Sequence, residues 1–166
     1  MANDAAVLVD ALDNLLREIV DGPPDDWAFI LNAGDPGLVK QLEMIDAHTA
    51  SQPSPSGRST IAAHVDHVWY SIHLLNRWSD GEANPWATAD WEASWQHREV
   101  TPVQWTELRE KLQRECQAWR KHVKSRESWE PIEASATLAS MGHLAYHLGA
   151  IRQILHSVTG KAKPSP

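Results

Sequence analysis

The stretch that decides the fold lies near the C-terminus and reads Ala134-Ser-Ala-Thr-Leu-Ala-Ser-Met-Gly-His143-Leu-Ala-Tyr-His147-Leu-Gly-Ala-Ile151. It holds no Asp, Glu, Lys or Arg, although 22% of the chain is charged. A charge-free run of this length, with apolar residues in every turn, predicts a helix buried on most of its surface. His143 and His147 are one helical turn apart and share a face. Because a buried polar ring is costly unless it is paired, the partners of these two imidazoles become the central question.

The composition limits the class of protein before any further motif is considered. A chain of 166 residues is predicted to form one domain over residues 1–166, with 42% hydrophobic residues as in soluble proteins. The net charge of −7 argues against nucleic-acid binding. The single cysteine, Cys116, fits a reducing compartment, and no signal peptide or membrane span is evident. We therefore expect a cytoplasmic protein.

Helical periodicity accounts for most of the chain and gives four long helices, at residues 4–20, 59–79, 102–126 and 134–158. The third begins with a capping box, in which Thr101 is the N-cap, followed by Pro102 and Gln104. The predicted apolar stripes are Leu8, Leu12, Leu15 and Ile19 in the first helix; Ile61, Val65, Val68, Ile72 and Leu75 in the second; and Trp105, Leu108, Leu112, Trp119 and Val123, with Cys116 beside them, in the third.

Shorter segments connect the long helices. A short helix is predicted at residues 37–47, and the apolar residues of the segment before it are expected to pack over the core; they are Trp27, Phe29, Ile30 and Leu31. In the last helix, Gly142 and Gly149 suggest a close approach by another helix or a ligand. No strand pattern is present. The predicted fold is all-α, a four-helix bundle with one or two short extra helices.

A long tryptophan-rich loop is predicted between the second and third helices, at residues 80–96. Its tryptophans are Trp86, Trp91 and Trp95, and Trp78 immediately precedes it. A loop of this length inside a compact domain is usually functional or well packed. Two interpretations are open: an apolar wall over a ligand site, or tryptophans that cover the core or a dimer surface.

The two histidines of the last helix form H-x-x-x-H, a spacing that suits two imidazoles on one divalent metal. Residue 144 is Leu, so the zinc-protease motif H-E-x-x-H is excluded. Spacing alone leaves a second interpretation open, in which both histidines are core residues hydrogen-bonded to other helices.

The second long helix supplies further imidazoles in the segment His64-Val-Asp-His67. Three histidines from two helices, with a position left for water, describe a metal site of the catalytic type. His64 is one turn from His67, and we consider it as a second-shell partner, a base or a fourth ligand. A structural histidine at the rim of the bundle is the alternative.

The histidine segments resemble those of the DinB-like superfamily, which includes the YfiT-type proteins and related thiol S-transferases. The run from Ser59 to Val68 resembles the start of that family's second helix, and counting from Thr60 aligns the family histidine with His67. The segment from His143 to Ile151 resembles the family pattern H-x-x-x-H-Arg-Gly-Gln-Ile. The family's Arg and Gln are replaced here by Leu148 and Ala150.

The resemblance implies an all-helical bundle, often a homodimer, with a metal held by three histidines. Carried over by motif, the metal ligands are His67, His143 and His147, and zinc or nickel is the implied ion. The family's assigned members transfer or isomerise small molecules with a low-molecular-weight thiol, or look like hydrolases. The resemblance thus implies a metal-dependent enzyme that activates water or a thiol for a small-molecule substrate.

The alternative is a stress-related or interaction protein in which the metal site is structural or vestigial. The changes at Leu148 and Ala150 keep this alternative open. Of the other polar residues, Cys116 is predicted to be a small buried hydrophobe rather than a nucleophile. Tyr70 and Tyr146 are assigned to packing or to a pocket wall. Most of the remaining histidines are expected to be solvated or to cap local turns; they are His48, His73, His97, His122 and His156.

Overall fold

The computed structural model describes residues 4–24, 28–57 and 59–160, and within these ranges it is all-helical, as predicted, with no strand. The four long helices are α1 (Asp4–Asp21), α4 (Ile61–Ser79), α5 (Pro102–Lys124) and α6 (Pro131–Thr159), and the two short helices are α2 (Leu38–Glu43) and α3 (Ala47–Ala50). Two short 3-10 turns, at Pro85–Thr88 and Ala93–Trp95, lie in the tryptophan-rich loop. None of the helices in the described ranges combines the length with the apolarity that crossing a membrane requires.

The helix starts follow from capping chemistry. Thr101 and Gln104 form the predicted capping box at the start of α5. At the start of α4 the Thr60 hydroxyl accepts a hydrogen bond from the N–H of Ala63 (3.2 Å). Helix α6 begins before the predicted boundary because Glu130 and Glu133 form a second capping box around Pro131.

The long helices share one core. Helix α4 packs against α5 and α6, and α1 packs against the same two helices on the other side. The predicted stripes of the second and third helices are buried throughout. In α1 part of the predicted stripe was wrong by one residue along the chain. Val9 and Leu16 are buried, whereas the predicted Leu8 is exposed. Burial of aliphatic side chains on this scale contributes about 2 kcal/mol each.

The predicted burial of the charge-free stretch in α6 is correct on one side only. Leu144 and Leu148 are in the core, but Leu138, Gly142 and Tyr146 are exposed. A Cβ added at Gly142 or at Gly149 would meet no atom within 4 Å, so the expected close approach at these glycines is absent within the described part of the chain. The stretch therefore combines a core face with an uncharged outer face, defined here as Leu138, Gly142, Tyr146 and Gly149.

The segment before α2 also departs from the prediction. Phe29 is 76% exposed and Ile30 is exposed, whereas Leu31 packs partly against the core. Trp27 lies outside the described residues. The backbone explains this arrangement, because the N–H groups of residues 29, 30 and 31 all donate to the buried carboxylate of Glu18. The turn is thus fixed by a polar anchor rather than by apolar packing.

Leu38, Leu42 and Ile45 are buried as predicted, but the helix expected at residues 37–47 is divided in two. Asp46 caps the start of α3, its carboxylate accepting from the N–H of Thr49 at 2.7 Å. The indole N–H of Trp105 in α5 donates to the carbonyl of Ile45 (2.6 Å), which fixes this segment on the core.

Candidate metal centre

Three of the four imidazoles singled out in the sequence converge on one point between α4 and α6. The Nε2 atom of His143 lies 2.8 Å from Nε2 of His147 and 3.2 Å from Nε2 of His67. All three ligand atoms lie within 4.8 Å of one another. His147 is 2% exposed and His67 is 9% exposed. We use the name histidine cluster for these three residues together with His64.

The tautomer of His143 is set by helix α4. The Ser71 hydroxyl donates its proton to the carbonyl of Val68 at 2.9 Å. The same oxygen lies 3.2 Å from Nδ1 of His143, so it accepts a hydrogen bond from an Nδ1–H. With the proton on Nδ1, Nε2 of His143 carries a free lone pair that is directed into the cluster.

The tautomer of His67 is set in the same way by the tryptophan-rich loop. The Ser94 hydroxyl donates to the carbonyl of Trp91 at 2.7 Å, and its oxygen lies 2.9 Å from Nδ1 of His67. His67 therefore donates from Nδ1 and presents a bare Nε2. Ser94 is buried although it belongs to a loop. The sequence gives no sign of this contact, because nothing in the spacing of the loop connects Ser94 to α4.

The fourth imidazole, that of His64, lies on the side of His147 that faces away from the other two histidines. Nδ1 of His64 lies 2.8 Å from Nδ1 of His147, and Nε2 of His64 lies 3.0 Å from the hydroxyl of Ser59. We assign one proton to Nδ1 of His147, which donates to Nδ1 of His64, and one to Nε2 of His64, which donates to Ser59. This assignment leaves Nε2 of His147 without a proton. His64 thus contacts the ring nitrogen that faces away from the convergence point, as a second-shell partner of a metal ligand does.

Burial keeps the imidazoles neutral. It lowers the pKa of His64 and of His143, and it lowers the pKa of His67 to about 4 with further contributions from His143 and His64. Burial and the neighbouring imidazoles lower the pKa of His147 to about 3. Neutral imidazole is the form that binds a metal.

The cluster fits a divalent ion by spacing and by chemistry. Two nitrogens bound to one tetrahedral zinc at about 2.05 Å are about 3.3 Å apart, close to the separations found here. Three bare lone pairs directed at one point repel one another unless a cation lies between them. His67, His143 and His147 can therefore hold a metal ion, and each has the outer hydrogen bond that metal-bound imidazoles usually make.

Aromatic rings surround the cluster. Trp95 stacks on His67 with ring centroids 4.3 Å apart, and Trp91 lies 5.8 Å from the same imidazole. Tyr146 meets His147 edge-on at 5.0 Å and is itself exposed. Trp86 instead packs on Trp78. Each of the two interpretations of the loop therefore describes part of it. The second half of the loop borders the candidate centre, and the first half covers the end of α4.

The other histidines have partners that the sequence did not indicate. Nδ1 of His73 lies 2.9 Å from the carboxylate of Glu115, and Nδ1 of His97 lies 2.6 Å from that of Asp66. The contact of His73 joins two helices, so the expectation of a solvated ring or a local cap was wrong for it, whereas the His97 side chain is 70% exposed, as expected of a solvated ring, although it pairs with Asp66. Cys116 is buried, and burial raises the pKa of its thiol to about 12, which agrees with the prediction that it is no nucleophile.

Comparison with protein-family models, with curated proteins and with solved structures finds no match for this chain. The likeness to the DinB-like superfamily therefore stays a prediction that rests on the histidine motifs and the helix order. The geometry of the cluster is independent of that likeness, because it follows from distances within this chain.

Proposed function

We propose that the chain is a cytoplasmic metal-dependent enzyme of the DinB-like, four-helix-bundle type, acting on a small molecule by transfer of a low-molecular-weight thiol or by hydrolysis. The observation that carries the proposal is the arrangement of His67, His143 and His147, each with Nε2 turned inward and Nδ1 hydrogen-bonded on the outside. Zinc or nickel is the proposed ion, since neutral imidazoles bind either one.

The charge of the surroundings favours activation of a nucleophile. The hydrogen-bond and ring partners of the cluster among the described residues are hydroxyls, imidazoles and aromatic rings, and none is a carboxylate. The chemistry that a divalent ion supplies in such a site is Lewis acidity, which lowers the pKa of a water or thiol at the open position. The described partners of the cluster thus add no negative charge that would weaken this effect.

His64 has a positioning role in the proposal. Of the three roles considered for it, the contacts favour the second-shell partner, because both ring nitrogens are engaged by His147 and Ser59. A hydrogen bond from Nδ1 of His147 orients that ring and raises the basicity of its Nε2. Trp91 offers exposed ring surface beside the cluster for the apolar part of a substrate.

Metal analysis of protein purified without an affinity tag tests the site. We expect close to one zinc or nickel per chain in the wild type and a loss of that metal in His143→Ala. His48→Ala is the matched control, since His48 is exposed on α3 and takes no part in the cluster. Full stoichiometric metal in His143→Ala would refute the ligand assignment.

Activity assays test the reaction class on the same three proteins. We expect metal-dependent conjugation of one of several cellular thiols to an electrophile, or hydrolysis of a chromogenic ester, in the wild type and in His48→Ala. His143→Ala should show only the uncatalysed rate. Equal rates in all three proteins, with metal bound to the wild type, would contradict an enzymatic role.

One observation supports the non-enzymatic alternative. Leu148 stands where the resemblance places an arginine, and it is 1% exposed within the hydrophobic core. A core leucine offers no charge to a substrate, so any step that needs the family's arginine is lost here. A metal whose fourth position is filled by a protein side chain would favour this alternative.

The proposal includes a homodimer formed through the uncharged outer face of α6. Two copies that each carry a net charge of −7 repel one another, and the repulsion is least where neither copy presents a charged side chain. Gly142 and Gly149 leave room for a neighbouring helix. Light scattering should give a dimeric mass for the wild type and a monomeric mass for Leu138→Glu. Val103→Glu is the control and should stay dimeric, because Val103 is an exposed residue on α5, away from this face. A monomeric wild type at high concentration would refute the dimer.

A further inference from the structure

The tryptophan-rich loop makes its hydrogen bond to the candidate centre at His67. Ser94 lies 2.9 Å from Nδ1 of His67, Trp95 stacks on its ring, and Trp91 lies 5.8 Å from the same ring. Trp95 also meets the rings of His64 and His147, at 5.1 and 5.8 Å. His143 and His147 are oriented from the helices instead, through Ser71 and His64. The loop thus completes one third of the outer shell of the site.

The contact at Ser94 requires a particular loop conformation. Its hydroxyl donates its proton to the carbonyl of Trp91, three residues earlier in the chain, and this places its oxygen to accept from the Nδ1–H of His67. The turn at residues 91–94 and the tautomer of His67 that turns Nε2 inward are therefore parts of one arrangement. If the turn opens, His67 loses the partner that fixes its tautomer and ring orientation.

Apart from the contact at Ser94, the hydrogen bond and the ion pair that fix the first part of the loop are exposed to solvent. The N–H of Asp90 donates to the hydroxyl of Tyr70 at 3.0 Å, and Arg77 pairs with Glu82 at the start of the loop. Exposed pairs of this kind contribute little to stability. At the far end of the loop, His97 is held by Asp66. Ser94 is thus the buried hydrogen-bonding link between the middle of the loop and the rest of the chain.

A metal on Nε2 changes the strength of that link. Coordination withdraws electron density from the imidazole, so the Nδ1–H of His67 becomes a better donor to Ser94. The bond is then worth more when metal is bound than when it is not. By linkage, whatever stabilises the closed loop also tightens metal binding, and by the same factor.

We propose that metal occupancy and the closed conformation of the tryptophan-rich loop are thermodynamically coupled through Ser94, a positioning residue that acts on His67. The proposal rests on the metal site proposed above and adds a regulation of it. Loading of the centre closes the loop and brings Trp91 and Trp95 into place beside the open position. Without metal, the loop opens more readily and leaves the imidazoles accessible to the incoming ion.

Hydrogen exchange of the amides of residues 80–97, measured with and without Zn²⁺, tests the coupling. Ser71→Ala is the matched control for Ser94→Ala, because Ser71 makes the same bond to a ligand imidazole from within a helix. Each variant should bind zinc about 10- to 100-fold more weakly than the wild type. At saturating zinc, exchange in the loop should slow by about fivefold or more in the wild type and in Ser71→Ala. It should be unchanged in Ser94→Ala and restored in Ser94→Thr, which keeps the hydroxyl.

Zinc that slows loop exchange in Ser94→Ala as much as in the wild type would overturn the coupling. So would a wild type that binds zinc without any change in the loop, a measurement that needs no variant. Metal analysis of the same samples separates the two proposals. A wild type that binds neither zinc nor nickel overturns the metal site itself, whereas bound metal without loop protection overturns only the inference drawn from Ser94.

Discussion

Two buried polar groups in this molecule are satisfied in opposite ways. The carboxylate of Glu18 is fully buried and accepts hydrogen bonds from the N–H groups of Phe29, Ile30 and Leu31 at 2.7 to 3.1 Å. Burial raises the pKa of Glu18, but the bonds from Leu31, Phe29 and Ile30 outweigh it, so the pKa is lowered overall. Every partner of this anion comes from the chain, and we call the arrangement the glutamate anchor.

The histidine cluster is satisfied only on its outside. The chain provides partners for Nδ1 of His67, His143 and His147, whereas the three Nε2 atoms face one another. A buried polar group that its own chain satisfies completely serves structure, and one left with lone pairs directed at a common point is arranged for a ligand. By this criterion the glutamate anchor is structural, and His67, His143 and His147 form a candidate metal site.

The largest expected difference between the two regions is the response to metal. Zinc at about 1,000 times its dissociation constant should raise the free energy of unfolding of the wild type by about 4 kcal/mol. Denaturant titrations with zinc and with a chelator measure this gain. His143→Ala should show no gain, because it has lost a ligand, whereas Glu18→Gln should keep it. A similar gain in His143→Ala would break the distinction between the two regions.

Replacement of Glu18 by Gln tests the anchor. The variant keeps the size of the side chain but removes the charge that accepts three backbone N–H bonds, so we expect a loss of about 3 kcal/mol in the free energy of unfolding. Urea denaturation with and without zinc should show the same loss. The zinc affinity, determined by competition with a chromogenic chelator, should stay within about threefold of the wild type. A large drop in zinc affinity would mean that the two regions are coupled.

The two regions should also respond to different ranges of pH. Burial lowers the pKa of His67 to about 4 and of His147 to about 3, so between these values and about 6.5 the unfolded chain binds more protons than the folded one. In the presence of a chelator, stability should therefore fall on going from pH 7 to pH 5, by about 2 kcal/mol for each histidine that stays neutral.

Glu18 contributes in a lower range, because a carboxylate with a lowered pKa loses its stabilising effect only as the pH falls through its folded-state pKa. Stability curves of Glu18→Gln and of the wild type should therefore run parallel between pH 7 and pH 5. If the wild type were equally stable at both values, the cluster would not be held neutral by burial.

The smallest expected effect concerns His64. Removal of an outer-shell partner weakens metal binding by about 10- to 100-fold, so His64→Ala should bind zinc by that factor more weakly while still reaching full occupancy in excess zinc. His73→Ala is the control, since His73 lies on the same helix but pairs with Glu115. An unchanged zinc affinity in His64→Ala would show that His64 has a structural role only.

Helical spacing predicted the pairing of His143 with His147 because it is a local property, whereas the choice of His67 as the third histidine came from the family resemblance. Two imidazoles one turn apart share a face whatever surrounds them, and the Thr101 capping box marked the start of α5 in the same way. Ser94 was missed because its contact with His67 depends on how an irregular loop lies across α4. No periodicity connects residues that far apart in the chain.

What the sequence by itself determined is the helical class, the core stripes of α4 and α5 and the pairing of His143 with His147 on one face, since each follows from a repeat of about 3.6 residues. The tertiary structure decided which charge-free positions of α6 are buried and which are exposed. It also decided that His67 reaches the cluster while His64 stands behind His147. These outcomes depend on how α4 and α6 lie against each other, and that geometry is set by the packing of the whole core.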